Sequence, residues 1–310
     1  MKNKRRIGRQ IGISIILIAI IVFLFPFYKS KYIEYKSSIY TEELKEKVID
    51  MRDDEKIKIK EEAKKYNLNI NSAENLKDPF DENNQKNVDP FIDIGENEAV
   101  GTIDIDKINL HMPIFLGASD ENLAKGAAVI EGTSLPIGGR GTRSVIAGHR
   151  GYYSAPEFIH INLLEENDII KLNILGDEMT YIVKDQELIY PYDTGSLGII
   201  ENKDMITLLT CDPIPSFKYR LLVNAERSPD EIEAEKLENE IEVVKIEKNE
   251  KKDKDGKKEK EKIEIKEISK SEVDPVVIKR EKLHKGIRII GTIILVFVLY
   301  LWIKNLRDKK

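Results

Sequence analysis

The chain is poor in the side chains from which reactive centres are most often built. Among its 310 residues there is one cysteine, Cys211, one tryptophan, and four histidines: His111, His149, His160 and His284. A single thiol excludes an intrachain disulfide and a cysteine-built zinc cage. The chain also has no surplus of positive charge: 50 Lys and Arg stand against 55 Asp and Glu, a net charge of −5. That balance argues against a nucleic-acid binder working by phosphate neutralisation. No metal or organic cofactor is indicated. Any thiol chemistry must therefore use Cys211, with few imidazoles to choose from.

Charged residues are plentiful, at 34% of the chain against a typical ~25%, but unevenly spread. Residues 11–28 are uncharged and mostly apolar and follow Lys2, Lys4, Arg5, Arg6 and Arg9. A run of about 20 apolar residues spans a bilayer as a helix, and the basic cluster keeps its near end cytoplasmic. A cleaved signal peptide is the rival, but Phe25-Pro26-Phe27-Tyr28 offers no small-residue cleavage pattern. A second apolar run, Ile289 to Ile303, reaches back to Gly286 if Arg288 snorkels, and Lys304, Arg307, Lys309 and Lys310 follow it. A buried core helix is its alternative reading. Two spans with both ends inside put everything between them outside the cell. The expected divisions are a basic segment (1–10), an anchor (11–28), a helical segment and loop (29–98), a strand-rich domain (99–228), a charged spacer (229–285), a second span (286–303) and a cytoplasmic tail (304–310).

Between the spans, residues 29–71 place Tyr40, Leu44, Val48 and Met51 at helical spacing, which predicts amphipathic helices. Residues 72–98, rich in Asn, Asp and Pro, read as an extended loop. From Ala99 to Arg227 eight short apolar runs follow, at 101–105, 112–116, 127–130, 144–147, 169–174, 179–186, 205–210 and 219–225. Strands at that density, without intervening helices, predict a closed all-β barrel or a sandwich. Residues 230–285 hold 18 acidic and 16 basic side chains, too little apolar surface to offset ordering entropy. A solvated tether is expected there, with a charged helix as the alternative.

Cys211 ends the run Ile206-Thr207-Leu208-Leu209-Thr210 and precedes Asp212-Pro213, which puts its thiol at a strand end near a rim. His149 follows the apolar run 144–147 within Gly148-His149-Arg150-Gly151, where the flanking glycines leave room for substrate. Arg220 opens the run Tyr219-Arg220-Leu221-Leu222-Val223 and faces the thiol if that run returns antiparallel. A nearby imidazolium favours thiolate, the reactive form of cysteine, and a fixed guanidinium suits an oxyanion or a bound substrate. Taken singly, each has an ordinary alternative: an inert buried thiol, a histidine satisfied by backbone, a surface arginine.

Together, Thr207-Leu208-Leu209-Thr210-Cys211, Gly148-His149-Arg150-Gly151 and Arg220 resemble the sortases, cysteine transpeptidases of Gram-positive cell surfaces; Thr207, Leu208 and Thr210 carry the cysteine motif. The resemblance covers roughly residues 99–227, including Glu131-Gly132-Thr133-Ser134-Leu135-Pro136. It implies an all-β, closed eight-stranded barrel flanked by an N-terminal helical and lid segment and two transmembrane helices. It also implies that Cys211 attacks the Thr–Gly bond of an LPXTG-like sorting signal, that His149 moves the protons, and that Arg220 holds the substrate and oxyanion. Partners would be secreted pilin or surface proteins bearing such signals, and the membrane.

A second span after the barrel and a long segment before it look like the class C, pilus-building sortases. Those carry a lid with an Asp-Pro-aromatic motif. Asp78-Pro79-Phe80 fits the motif with slack to reach the rim; Asp89-Pro90-Phe91 has the same pattern but abuts the first strand. Both are otherwise simple turn-forming pairs. The long charged spacer departs from the family pattern. A housekeeping sortase that anchors proteins to peptidoglycan and an inactive membrane-tethered scaffold are the competing readings.

Overall fold

Each of the eight apolar runs forms one strand of a closed barrel: β1 (Ala99–Ile105), β2 (Leu110–Leu116), β3 (Ala127–Val129), β4 (Thr142–Ala147), β5 (Ile169–Ile174), β6 (Asp177–Ile189), β7 (Asp204–Asp212) and β8 (Tyr219–Arg227). The computed structural model describes residues 2–70, 76, 78–81, 99–151, 158–232 and 272–307. Asp89-Pro90-Phe91 and most of the charged spacer lie outside the described residues. The strand order is β1-β2-β3-β4-β7-β8-β6-β5, with β5 closing on β1. The β2–β3 and β4–β7 pairs are parallel and the other pairs antiparallel.

The strands read as near-continuous apolar runs because several are covered on both faces. From β7, Ile206 and Leu208 point into the barrel core beside Ile146, Val223 and Ala225. The alternate residue Leu209 joins Val145, Ala147, Leu222 and Ile189 in a second cluster on the outside of the same strands. Tyr40, Leu76 and Phe80 pack onto that outer cluster. It forms a floor leading to the end of β7. Buried Arg143 is well partnered: it donates from Nε to Thr207 Oγ1 (2.9 Å), from Nη1 to the carbonyls of Ser196 (2.5 Å) and Gly198 (3.0 Å), and from Nη2 to Asn224 Oδ1 (2.8 Å).

The predicted amphipathic region is helical, in two pieces. Helix α1 (Lys2–Asp50) runs unbroken from the apolar segment through Pro26, and α2 (Asp53–Asn69) follows. Val48 of α1 packs on the tight β5–β6 turn at Gly176, and Lys60 of α2 pairs with Asp177 at 2.6 Å. Asn67 of α2 makes a two-way amide pair with the Leu135 backbone (3.1 and 2.7 Å). A short helix, α3 (Asp120–Leu123), is capped by the Ser119 hydroxyl, which accepts from Asn122 N–H at 3.2 Å.

The last helix, α4 (Pro275–Arg307), begins well inside the stretch expected to be a tether. Its start has a local cause. The Asp274 carboxylate accepts from Val276 N–H at 2.7 Å, and Pro275 sits at the first helical position, where its missing donor costs nothing. The start also docks on the barrel. Asp274 N–H reaches the Lys107 carbonyl (2.7 Å), Asn109 Nδ2 reaches Glu281 Oε1 (2.7 Å), and Val277 is buried in the barrel core cluster. Helices α1 and α4 are both long and apolar enough to cross a membrane. They pack antiparallel: Leu24 lies on Gly291, Tyr28 bonds Thr292 (2.5 Å), and Trp302 Nε1 donates to Ser14 Oγ (3.2 Å).

Candidate active site

Strand register assembles the site. Antiparallel pairing of β7 with β8 sets Cys211 directly opposite Arg220, an arrangement that holds facing α-carbons about 5 Å apart. Parallel pairing of β4 with β7 matches Ala147 with Leu209. His149 and Cys211 each lie two residues further along. Two bonds carry the match up to them: Gly148 N–H to the Leu209 carbonyl (3.0 Å), and the Thr210 hydroxyl to the Gly148 carbonyl (2.6 Å). Thr210 is fully buried, Thr207 bonds Asn224 Oδ1 (2.9 Å), and Leu208 fills the core. The three therefore shape the strand behind the cysteine.

Gly148 is needed for a reason other than open access. A Cβ there would lie 2.6–2.9 Å from ring atoms of Phe158, which is wholly buried. Phe158 N–H in turn donates to the His149 carbonyl at 2.7 Å. The ring and the amide together fix the turn that presents the imidazole.

Arg220 is gripped on both edges. Its Nη1 donates to the carbonyls of Phe217 (3.0 Å) and Tyr219 (3.1 Å), while Nε and Nη2 meet the two carboxylate oxygens of Asp78 at 2.9 and 2.6 Å. Both side chains are more than nine-tenths buried. The Asp78 carboxylate also accepts from Phe80 N–H (3.4 Å), and Asp81 N–H bonds the Asp78 carbonyl (3.3 Å), giving a tight turn around a buried Pro79. The Phe80 ring stands 5.7 Å from the His149 ring and 5.4 Å from the Arg220 guanidinium carbon. Asp78-Pro79-Phe80 therefore lies in the site itself.

The surroundings favour the uncharged forms of Cys211 and His149. Burial pushes the Cys211 thiol up to about 11; the Arg220 cation pulls against that, the Asp78 carboxylate adds to it, and the Arg150 cation pulls down again. Burial also lowers the His149 imidazole, and the Asp120 carboxylate offsets this only in part. Both shifts favour the uncharged forms, thiol and neutral imidazole. For Arg220, burial works against its charge, but Asp78 and the sulfur outweigh it and its pKa stands above the ordinary arginine value.

The other histidines are placed elsewhere. His111 pairs with Asp104 across the β1–β2 ladder, His160 Nε2 meets Arg280 Nη1 of α4 (3.1 Å), and His284 packs edge-on against Phe27 (5.3 Å). Two residues not singled out by the motif reading also border the thiol: Arg150, next to His149, forms an ion pair with Asp212, next to Cys211. Their only trace in the sequence is the shared offset from the two site residues, which acquires meaning once β4 and β7 are known to run parallel. Among the described residues no group of three or more His, Cys, Asp or Glu could hold a metal ion.

Comparison with known proteins yields a consistent set of similarities. A family model described as the sortase domain matches residues 103–228. Among solved structures, sortase C of Streptococcus pneumoniae is 32% identical with a TM-score of 0.57, covering 61% of this chain and 96% of that one. A pilus-related sortase C of Group B Streptococcus is 31% identical with a TM-score of 0.57, covering 61% and 97%. Sortase D of Bacillus subtilis (strain 168) is 28% identical over 116 residues, 37% of this chain, and the chain spans 56% of that relative's length.

Proposed function

The chain belongs to the sortase family, and on that premise we propose that it is a membrane-anchored cysteine transpeptidase of the pilus-building class. Anchored by α1 and α4, with the barrel outside the cell, it would cleave an LPXTG-like sorting signal between Thr and Gly. It would then join the freed acyl group to a lysine amine of another pilin subunit.

In that reaction Cys211 passes its proton to His149, and the sulfur attacks the threonine carbonyl. A tetrahedral oxyanion forms beside Arg220. The C–N bond breaks as the imidazolium protonates the leaving glycine amine, which leaves a thioester on Cys211. An incoming lysine amine attacks that carbonyl and loses its proton to His149. The C–S bond breaks, the new amide departs, and the sulfur recovers a proton. Arg220 presents a planar fork of donors suited to a carbonyl developing negative charge.

One observation supports the pilus-building reading above others: Asp78 occupies both donors of Arg220 that a substrate would use, with Phe80 against His149. A carboxylate and an aromatic ring borne on the chain ahead of the barrel act as an intramolecular competitor of substrate. Opening must therefore cost less than substrate binding returns.

The test has two arms. Incubating the full chain in detergent with a sorting-signal peptide should give a Cys211 thioacyl adduct by mass spectrometry. Co-expression with a secreted pilin carrying such a signal should give covalent ladders that Cys211→Ala abolishes. A single anchored product without ladders would replace the polymerase reading with the housekeeping one. No adduct, even with Asp78 and Phe80 replaced, would leave an inactive scaffold.

A further inference from the structure

Two arginines approach the Cys211 sulfur, and their partners differ in kind. Arg220 is held by Asp78, which lies on the chain ahead of the barrel, 142 residues away in sequence. Arg150 is held by Asp212, the residue bonded to Cys211 in the chain, and that partner cannot leave. The Arg150 and Asp212 side chains are only 9% and 18% exposed, and the contact between them is one of charge, since Arg150 Nε and Nη1 are buried with no hydrogen-bond partner among the described residues. The pair lies directly beyond the last rungs joining β4 to β7, the Gly148–Leu209 and Gly148–Thr210 bonds. Past that point the two chains separate, one turning at Gly151 (φ +76°) and the other entering Pro213. His149 and Cys211 thus sit between the rungs on one side and the Arg150–Asp212 ion pair on the other.

We propose that Arg150 and Asp212 are the positioning pair of this site: their ion pair locks the turn bearing His149 to the strand end bearing Cys211. It keeps imidazole and sulfur aligned while Asp78 comes and goes. The physical need is strict, because misplacing reacting groups by about 1 Å costs about a hundredfold in rate. A buried ion pair is suited to the task, since losing either partner strands the other charge away from water. Arg150 also adds to the field favouring thiolate. The charged groups acting on the sulfur are then Arg220, Asp78 and Arg150, with His149 alongside. Of the two cations, only that of Arg150 keeps its carboxylate partner when Asp78 departs; Arg220 keeps the Phe217 and Tyr219 carbonyls.

This inference rests on the reading of Cys211 and His149 as the reacting pair, and its test separates the two. The full chain in detergent, with Phe80→Ala to admit reagents, is compared with R150Q, R150K, D212N and the exchange R150D/D212R. Transfer from a sorting-signal peptide to an amine gives kcat and KM, and iodoacetamide alkylation across pH gives the thiol midpoint. R150Q and D212N should each lower kcat by about ten- to a hundredfold with KM within about threefold, as lost alignment rather than lost binding predicts. R150Q should also raise the alkylation midpoint. The exchange should recover at least about tenfold over R150Q, because it restores the pair in reverse. If R150Q does not fold, R150K, which keeps the charge but loses the fork, and D212N provide the comparison. A kcat within twofold of the parent in any folded single variant overturns the proposal, as does an exchange no better than its singles. A parent that transfers nothing overturns the transpeptidase reading instead, and the alkylation midpoints then decide the role of Arg150 alone.

Discussion

Asp78 and Arg220, 142 residues apart in sequence, meet through two parallel hydrogen bonds of 2.9 and 2.6 Å. Bidentate carboxylate–guanidinium pairing is the strongest polar contact that two side chains commonly make. Here it engages the cation that faces the one thiol of the chain. It fills the donors and also lays a negative charge beside the sulfur, which disfavours thiolate there.

Removing the plug should therefore be visible at the thiol itself. With Asp78 in place the Cys211 thiol is pushed up to about 11, burial acting first and the Asp78 charge adding to it. Asp78→Asn deletes a charge that disfavours thiolate and frees Arg220, and Phe80→Ala opens the cover. Each change should move the alkylation midpoint downward. Near pH 8 the rate should rise about ten- to a hundredfold, each pH unit of midpoint being worth a factor of about ten. Midpoints and rates equal to those of the parent would remove Asp78-Pro79-Phe80 from the role of lid.

Arg220→Lys should keep the barrel and lose the reaction. Lysine supplies the charge but not the planar fork that bridges Asp78 and the Phe217 and Tyr219 carbonyls. Thioester formation should fall about a hundredfold or more, the usual effect of deleting an oxyanion donor. Stopped-flow or quenched mass spectrometry of the acyl adduct measures it. Turnover within a factor of two of the parent would leave Arg220 a structural residue.

Much of the arrangement follows from patterns visible in one dimension. Eight apolar runs become eight strands because each is short, rich in β-branched residues and closed by turn formers, as at Leu175-Gly176. Cys211 and Arg220 come together because both sit at the edges of runs that pair antiparallel. The helix start at Asp274-Pro275 carried its own local signal, submerged in the surrounding charge. Other features need the third dimension. Gly148 is small because Phe158 presses on it, and nothing in the local string points to that residue. Arg150 and Asp212 look like ordinary loop charges until the parallel β4–β7 pairing sets them side by side. Arg143 lies in an apolar strand with no local hint that Thr207, Asn224 and two carbonyls await it.

Gly148→Ala should damage stability and activity together. The new methyl meets the Phe158 ring at 2.6 Å, and that ring is fully buried. Overpacking of this kind costs about 1–3 kcal/mol, enough to lower the melting temperature by several degrees. The backbone amide of the same Phe158 bonds the His149 carbonyl, so a shift of this residue should lower transfer even below the melt. An unchanged melting curve with full turnover would contradict the account of this turn.

Gly291→Leu should part the two long helices. A Cβ at Gly291 would lie 2.3 Å from a Leu24 methyl, so even a methyl requires Leu24 to move, and the bulk of leucine requires more. Paired cysteines at Ser14 and Trp302, whose side chains now bond at 3.2 Å, should cross-link readily in the parent sequence and poorly in the variant. Equal cross-linking in both would show that the helices do not depend on this contact.

Both long helices also grip the barrel, α1 through Tyr40 and Val48 and α4 through Val277, Asp274 and Glu281. A globe hung from one stalk swivels freely. One held by two stalks that clasp each other keeps a constant heading. For the proposed polymerase, that heading would fix the bearing along which each new link leaves the barrel.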